Sequence, residues 1–249
     1  MTTAKSPARA VEAPRDFRPF DGVNAWVFDL DNTLYPREAN IFMQVDQRIQ
    51  DYLQGVLSLT ADHARHLRRS YYERYGTTLR GLMVEHGITP DDFLEYVHDI
   101  DHSPLEPNPA LARTIKSLPG RKFILTNGSR RHAEKVAERL GFTDEFEDIF
   151  DIVHSELMPK PDRNAYDRFI AATGVAPVDA AMFEDLSRNL VVPKALGMRT
   201  VLVVPAGTRD VVQEAWEFEG RDDDHIDYVT ADLGRFLEDL LAAAGRKAG

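Results

Sequence analysis

The sequence contains no cysteine. Disulfide bonds, thiolate nucleophiles and cysteine-ligated zinc sites are therefore excluded. Long hydrophobic runs are absent too, because no apolar stretch approaches the roughly 20 residues that a membrane-spanning helix needs. The first fifteen residues also lack the apolar segment that is typical of a secretory signal. We therefore expect a cytoplasmic protein without a membrane partner.

Positive charge is scarce. The 249 residues include 30 Lys and Arg against 41 Asp and Glu, which gives a net charge of −11. Because an acidic surface repels phosphate backbones, we expect no nucleic-acid polymer as a partner. A small phosphate ester is still compatible with this charge, since one local cation can bind it. The oligomeric state stays open between a monomer and a small homo-oligomer.

Short apolar runs alternate with helical patterns over most of the chain. Such alternation predicts a parallel sheet with helices on both faces, which is a Rossmann-like three-layer α/β core. The helical patterns in the second half end at Gly141, Gly174 and Gly197, as helix C-terminal capping favours. The predicted strands are "AWVFDL", "KFILTN", "DIFDIVH", "DAAMFED", "RTVLVVP" and "IDYVT".

The segment after the first strand has a different, purely helical pattern. Apolar residues recur there every three or four positions along one stripe: Ile41, Val45, Ile49, Leu53 and Val56. Three further helices are predicted before "DHSPLEPNPAL", whose prolines predict an irregular connection over residues 101–111. We therefore predict a disordered tail over residues 1–16 and an α/β core formed by residues 17–38 and 106–249. Residues 39–105 are predicted to form an inserted helical cap.

Distinctive polar residues follow the predicted strands. Asp29 and Asp31 end the first strand in "FDLDNTLYP". Because ligands bind beyond the carboxyl ends of parallel strands, we expect the residues after the other strands to meet these aspartates at one edge of the sheet. Those residues are Thr126, Asn127, Gly128, Lys160, Glu184, Asp185, Ser187 and Asn189.

The chemistry of this set favours phosphoryl transfer. Oxygen ligands without His or Cys suit a hard cation such as Mg²⁺, which Asp29, Asp185 and a backbone carbonyl can hold. Thr126, Asn127 and Lys160 can surround the oxygens of a phosphoryl group. Asp29 can attack phosphorus to give an aspartyl-phosphate, and Asp31 can serve as general acid and base.

Each of these residues also has a purely structural interpretation. Asp29 and Asp31 alone fit a turn after a strand, and the Thr126 segment fits a helix N-cap. Lys160 alone fits a solvated loop lysine. Their convergence on one edge of the sheet favours the functional interpretation.

The segments "FDLDNTLY", "LTNGS", "PKP" and "FEDLSRN" resemble, in this order, the four motifs of the haloacid dehalogenase superfamily in its magnesium-dependent phosphatase branch. The resemblance spans roughly residues 24 to 205, and the inserted helical segment is similar to that superfamily's small cap. The resemblance implies that Asp29 is the nucleophile and a metal ligand, and that Asp31 is the acid/base and binds the metal through its main-chain carbonyl. It also implies that Thr126 and Lys160 bind phosphate and that Asp185 is the other carboxylate ligand of the metal. Glu184 and Asn189 would support the metal or its bound waters.

A narrower resemblance covers the cap. "DNTLYP", "YYERYGTTLRGLMVEHG" and "PGRKFILTNGS" are similar to the pyrimidine 5'-nucleotidase group of this superfamily. This implies hydrolysis of UMP or CMP to nucleoside and phosphate. Tyr71, Tyr72, Tyr75 and Arg80 could then stack on or hydrogen-bond a base, with Tyr75 and Arg80 as the preferred substrate contacts, unless the cap tyrosines pack the cap's own core. Asn189 stands where many relatives carry Asp, and an amide can still bind a metal-bound water.

Several alternatives stay open. Another small ester, such as phosphoglycolate or a sugar phosphate, would suit the same machinery. A dehalogenase would lack Asp31, and a phosphonate hydrolase would need a cap lysine, which residues 39–105 do not contain. A sugar phosphomutase shares the aspartates, and a non-catalytic binding module would have lost them. His98 and His102 are spaced like zinc ligands, but no third ligand is evident.

Overall fold

The computed structural model describes residues 15–142, 144–205 and 223–245. In this part of the chain six parallel strands form one sheet, in the order β3-β2-β1-β4-β5-β6. Each predicted strand is present, so the predicted α/β fold is confirmed. The strands are β1 (Ala25–Phe28), β2 (Arg121–Leu125), β3 (Asp148–Phe150), β4 (Ala180–Glu184), β5 (Arg199–Val203) and β6 (Tyr228–Thr230).

The central strands are buried on both faces. Every residue of β1 and β4 is buried, which explains why their sequences are continuously apolar instead of alternating. One hydrophobic cluster contains Trp26 and Phe28 and lies on one face of the sheet. A second cluster contains Val27 and Phe123 and lies on the other face. The core therefore has the three layers that the alternating pattern predicts.

Helices cover these faces and form the inserted segment. Within the described residues, no helix combines the length and apolar character needed to cross a membrane. The helices are α1 (Ile41–Leu57), α2 (Ala61–Tyr75), α3 (Thr78–His86), α4 (Pro90–Val97), α5 (Pro109–Ser117), α6 (Arg130–Leu140), α7 (Arg163–Thr173), α8 (Val191–Leu196) and α9 (Leu233–Gly245).

Helix α5 was not predicted, because the prolines of residues 101–111 suggested a loop. Pro109 occupies the first turn of α5, where its missing N–H costs no hydrogen bond. The Asn108 side chain caps the helix by accepting a hydrogen bond from the Leu111 N–H at 3.1 Å. A proline that was read as a helix breaker is therefore part of a helix start.

Helices α1 to α4 share a hydrophobic cluster of their own, which includes Leu53, Leu82 and Phe93. Tyr71 belongs to this cluster and packs so closely on Gly81 that a Cβ there would lie 2.3 Å from its ring. All four helices expected between residues 39 and 105 are present. The treatment of this segment as a separate cap domain stays a prediction.

The predicted N-terminal tail falls largely outside the described residues, which begin at residue 15. The described part is attached to the core. The Tyr228 hydroxyl donates a hydrogen bond to the main-chain carbonyl of Asp16 at 2.6 Å. Residues 15 and 16 therefore contact the sheet that they precede.

Candidate active site

Strand register brings the predicted site residues together. Phe28 of β1 is level with Ile124 of β2 and with Phe183 of β4. The residue after Phe28 is Asp29, so its carboxylate leaves the sheet beside the ends of β2 and β4. The same edge therefore receives Asp29 and Glu184, as the strand-end argument predicts.

Lys160 lies at the centre of this edge and is 1% exposed. Its ammonium donates three hydrogen bonds, to Asp29 Oδ1 at 2.6 Å, to Glu184 Oε1 at 2.7 Å and to the Leu125 carbonyl at 2.7 Å. All three N–H groups therefore have protein acceptors. The structure places Lys160 between the two carboxylates and behind the cavity wall, where a phosphoryl group would have to displace one of these bonds to reach it.

Asn127 fixes the backbone of Lys160. Its side-chain oxygen accepts a hydrogen bond from the Lys160 N–H at 2.8 Å, and its amide donates to the Lys160 carbonyl at 3.0 Å. The sequence predicted that the Asn127 amide contacts phosphate. The structure gives this amide a positioning role, since both of its functional atoms are engaged with Lys160, and its contact with phosphate stays a prediction.

Three carboxylates, which we call the acidic trio, lie close together: Asp29, Glu184 and Asp185 each offer an oxygen within 4.8 Å of the others. Burial and the neighbouring Glu184 raise the pKa of Asp29 to about 7, although Lys160 opposes the shift. Burial, Glu184 and Asp29 raise the pKa of Asp185 well above its usual range, against the effect of Arg37. Arg37 lies 3.6 Å from the Asp185 carboxylate. The trio therefore carries more negative charge than its cations offset.

The donor set of this trio fits a hard divalent cation, because every ligand atom is an oxygen. Glu184 is engaged on both oxygens, since Oε1 accepts from Lys160 and Asn189 and Oε2 accepts from the Leu186 N–H. Asp29 and Asp185 keep more acceptor capacity for a metal. The buried Asn189 Oδ1 has no hydrogen-bond partner among the described residues, and this oxygen can hold a metal-bound water.

The amide at position 189 suits this chain. Asn189 donates to Glu184 Oε1 at 2.7 Å, which an aspartate could not do without a proton. Asn189, which stands where many relatives carry Asp, thus supplies the donor that this hydrogen bond requires.

Asp31 has a separate set of partners. Its Oδ1 accepts hydrogen bonds from the Tyr35 hydroxyl and from His132 Nε2, the latter at 2.9 Å. Burial would raise the pKa of Asp31, but His132 and the hydrogen bonds from His132 and Tyr35 outweigh burial and lower the pKa. The two aspartates of the first motif therefore have opposite pKa shifts, although they are two residues apart.

Thr126 follows β2 and is buried. Its hydroxyl accepts a hydrogen bond from the Gly128 N–H at 2.9 Å, and Ser129 caps the helix that follows. A cavity of about 170 Å³ lies in front of these groups and is lined by Asp29, Asp31, Thr126 and Asp185. The structure therefore places the predicted phosphate-binding loop and the carboxylates around one space, which we call the active-site cavity.

The inserted helices supply the opposite wall of the active-site cavity. Tyr72 and Arg68 of α2 line it, together with apolar residues such as Phe42, Leu79 and Phe93. Tyr75 and Arg80, the predicted substrate contacts, do not line it. The Tyr75 hydroxyl instead bonds Glu85 and Arg74 on the exposed side of the segment. Of the tyrosines that the sequence offered as substrate contacts, Tyr72 lines the cavity, whereas Tyr71 packs in the hydrophobic cluster of this segment.

Sequence reasoning missed His132 and Arg37. His132 lies in the first turn of α6, six residues after Thr126, and the start of a helix that follows a strand end faces the site. That placement was available from "LTNGSRRHA". His98 and His102 contact His132. In the part of the chain that the structure describes, the acidic trio is the only group of three or more clustered metal ligands.

Comparison with known proteins identifies relatives in sequence. The haloacid dehalogenase-like hydrolase family matches residues 23–197. Phosphate metabolism protein 8 of Saccharomyces cerevisiae is 28% identical over 210 residues, and the match covers 77% of this chain and 65% of the yeast protein. The chain thus spans just under two thirds of that relative's length.

Solved structures show the same fold. The L-2-haloacid dehalogenase of Xanthobacter autotrophicus, with chloropropionic acid covalently bound, has a TM-score of 0.55 at 16% identity, over 87% of this chain and 97% of that one. The HAD phosphatase of Thermococcus onnurineus has a TM-score of 0.53 at 20% identity, over 89% and 98%. A dehalogenase and a phosphatase share this fold, so the fold does not decide the reaction. The family match covers well over half of the sequence, and the chain therefore belongs to the haloacid dehalogenase-like hydrolases.

Proposed function

We propose that the protein is a Mg²⁺-dependent phosphomonoester hydrolase that acts through an aspartyl-phosphate on Asp29, and that its substrates are pyrimidine nucleoside monophosphates such as UMP and CMP. The observation that carries this proposal is the bridge of Lys160 between Asp29 and Glu184, with Asp185 beside it and Asp31 held separately. A nucleophile, an acid/base and a cation site thus border one cavity.

Asp29, Asp185 and the main-chain carbonyl of Asp31 would hold the metal, with Glu184 and Asn189 in support. When bound, Mg²⁺ supplies positive charge that offsets the charge of the phosphoryl oxygens. Asp29 lines the active-site cavity. Lys160 fixes its Oδ1 by a 2.6 Å hydrogen bond, whereas Oδ2 accepts a longer bond of 3.3 Å from the Thr33 hydroxyl, so we assign the attack to Oδ2. That oxygen attacks phosphorus and forms the aspartyl-phosphate.

Asp31 transfers the proton. It gives a proton to the leaving oxygen in the first step and takes one from the attacking water in the second. In the free protein its lowered pKa favours the carboxylate. An incoming phosphate dianion raises the pKa of a neighbouring carboxyl group, and this effect favours the protonated acid that the first step requires.

Asp31 also supports a phosphatase over a dehalogenase. Displacement of a halide needs no proton donor, whereas an alkoxide leaving group does. This assignment is supported by the hydrogen bonds from Tyr35 and His132, which hold the Asp31 carboxylate at the active-site cavity. The name of the yeast relative, which refers to phosphate metabolism, is consistent with this choice.

The far wall of the active-site cavity supports a nucleotide. Tyr72 presents an aromatic ring there, stacked on the guanidinium of Arg188 at 3.8 Å. Arg68 bonds Asp46 at 2.6 Å, and its buried Nε has no partner among the described residues. A flat ring with a polar edge, such as a pyrimidine, matches an aromatic and apolar wall that carries one polar pair.

The test is a panel of phosphate esters. Phosphate release from UMP, CMP, phosphoglycolate and ribose 5-phosphate is measured with Mg²⁺ and with EDTA. We expect UMP and CMP to have the highest kcat/KM and EDTA to abolish turnover. A strong preference for phosphoglycolate or the sugar phosphate would refute the nucleotidase and keep the phosphatase. No turnover of any ester would favour a binding module.

A further inference from the structure

Two buried residues hold one oxygen of Asp31. Tyr35 is 2% exposed and donates its hydroxyl to Asp31 Oδ1. His132 is 1% exposed and approaches the same oxygen with Nε2 at 2.9 Å. Asp31 Oδ2 accepts no hydrogen bond from the residues that the structure describes, and Asp31 lines the active-site cavity. One oxygen of the carboxylate is therefore fixed and the other is available to substrate.

The ring of His132 is itself fixed from several sides. His98 stacks on it with ring centroids 4.6 Å apart, and His102 Nε2 lies 3.3 Å from His132 Nδ1. Its backbone N–H donates to the Ser129 hydroxyl that caps α6. If the Nε2–H of His102 donates a hydrogen bond to the lone pair of His132 Nδ1, the proton of the neutral His132 ring lies on Nε2, which faces Asp31.

We infer that Tyr35 and His132 are positioning residues for the acid/base reaction: by holding Oδ1 of Asp31, they direct Oδ2 toward the leaving oxygen of the ester. This inference rests on the proposed phosphatase function and names residues that the motif-based prediction did not include. Neither side chain is placed to contact substrate, so neither is a catalytic residue.

Asp31 Oδ2 transfers one proton in each of the two steps. In the first, the bond from Asp29 to phosphorus forms, the bond from phosphorus to the leaving oxygen breaks, and the proton on Asp31 Oδ2 moves to that oxygen. In the second, a water oxygen bonds phosphorus, the bond to Asp29 breaks, and a proton of the water moves to Asp31 Oδ2. A carboxylate that rotates freely would present Oδ2 in the correct direction for only part of the time.

The inference predicts an effect that depends on the leaving group. Ester bonds to an alkyl oxygen need protonation to break, whereas p-nitrophenolate leaves without it. Measurement of kcat/KM isolates the step up to formation of the aspartyl-phosphate, because later hydrolysis does not enter this ratio. UMP and a simple alkyl phosphate represent the poor leaving groups, and p-nitrophenyl phosphate represents the good one.

The variants are Tyr35→Phe and His132→Ala. Each should lower kcat/KM for the alkyl esters by about 10- to 100-fold, a part of the full effect of general acid catalysis. For p-nitrophenyl phosphate we expect less than about a 3-fold loss, since little protonation is needed there. His132→Gln, whose amide N–H can reach toward Asp31, should recover part of the alkyl-ester activity.

His154→Gln is the matched control. His154 also bonds an aspartate, Asp151, but it is 45% exposed and lies outside the active-site cavity. This variant should leave both ester classes unchanged.

Equal losses for both ester classes, or no loss in either, would overturn the inference. If His132→Ala does not fold, Tyr35→Phe decides alone, because it removes one oxygen and keeps the packed ring. A wild-type protein that releases no phosphate from any ester is a different result. It would refute the proposed function and, with it, the basis of this inference.

Discussion

Charged side chains are buried and bonded to one another at the edge of the sheet, whereas on α2 they mostly pair in solvent. Lys160 is 1% exposed between two carboxylates. By contrast, the side chains of the Arg65–Asp62 pair are 61% and 89% exposed. A buried charge needs oppositely charged or hydrogen-bonding partners, and these partners fix the position of the side chain. An exposed ion pair contributes little to the free energy of folding and leaves both side chains mobile.

Arg68 is the exception on α2. Its side chain is 17% exposed, it pairs with Asp46, and it borders the active-site cavity. Three residues along the same helix, Arg65 is in solvent. Helix α2 therefore carries both a largely buried charged side chain, Arg68, and a largely exposed one, Arg65.

The largest expected effect is on the reaction itself. Asp29→Asn removes the nucleophilic oxygen and should lower kcat by at least about 10⁴-fold, the scale seen when a nucleophile is lost. The neutral amide should keep the fold, which circular dichroism checks. Substantial residual turnover of UMP by this variant would contradict the covalent route.

The next effect is on stability. Lys160→Met leaves Asp29 and Glu184 without their shared cation and should lower the free energy of unfolding by about 3–5 kcal/mol in EDTA. Lys194→Met is the control, because the Lys194–Asp227 pair is partly exposed and should cost at most about 1 kcal/mol. Urea denaturation measures both. Similar losses of unfolding free energy for the two variants would show that burial of the lysine does not determine how much its ion pair contributes to stability.

His98 extends the comparison to pH. Burial and the neighbouring His132 lower the pKa of His98 from 6.5 to about 3. Below pH 6.5 the unfolded chain therefore binds a proton at position 98 that the folded protein does not, and the contribution of His98 to stability falls as pH decreases. The raised pKa of Asp29 contributes with the opposite sign, so the effect of His98 is measured as the difference between wild type and a His98 variant. The expected slope is about 1.4 kcal/mol per pH unit, or about 2–3 kcal/mol between pH 6.5 and pH 4.5.

Relative to wild type, His98→Gln should gain about 2–3 kcal/mol of stability between pH 6.5 and pH 4.5, whereas His154→Gln, at an exposed histidine, should follow wild type. Urea unfolding of the three proteins at both pH values gives the comparison. If wild type and His98→Gln lose the same free energy over this range, the proton is not excluded at His98.

The smallest effect concerns substrate binding. Arg68→Met should raise KM for UMP by about 10-fold with little change in kcat, as the loss of one buried polar contact implies. Arg65→Met should change KM by less than about 2-fold, since its pair is exposed. Steady-state kinetics with UMP measures both KM values. Equal KM values for the two variants would show that the Arg68–Asp46 pair does not contribute to substrate recognition.

The sequence predicted the sheet edge well because strand ends converge by topology alone. Asp29 follows β1, Lys160 lies beyond β3, and Glu184 and Asp185 are at the end of β4. Parallel pairing brings the ends of these three segments to one edge whatever the details of packing. What it did not predict depends on rotation about a helix axis. Tyr72 and Tyr75 were both candidates and Tyr75 was preferred, yet only Tyr72 of the two lines the cavity, because both positions fit the same amphipathic pattern.

Hydrogen-bond partners were also beyond the sequence. The amide of Asn127 had a phosphate-binding interpretation, and only the structure shows that Lys160 engages both of its functional atoms. His132 belongs to the helix after a predicted motif, yet its contact with Asp31 spans 101 residues of chain. Long-range partners of this kind follow from the fold and not from local pattern.

Rapid acid quench of the first turnover tests the central claim most directly. Enzyme in excess is mixed with UMP carrying radioactive phosphorus, quenched, and digested with trypsin. We predict label on the peptide of residues 16–37, released by hydroxylamine as an acyl phosphate is, and absent from Asp29→Asn. Phosphate release in that turnover with no labelled peptide at any time, or with the label on another peptide, would contradict the account.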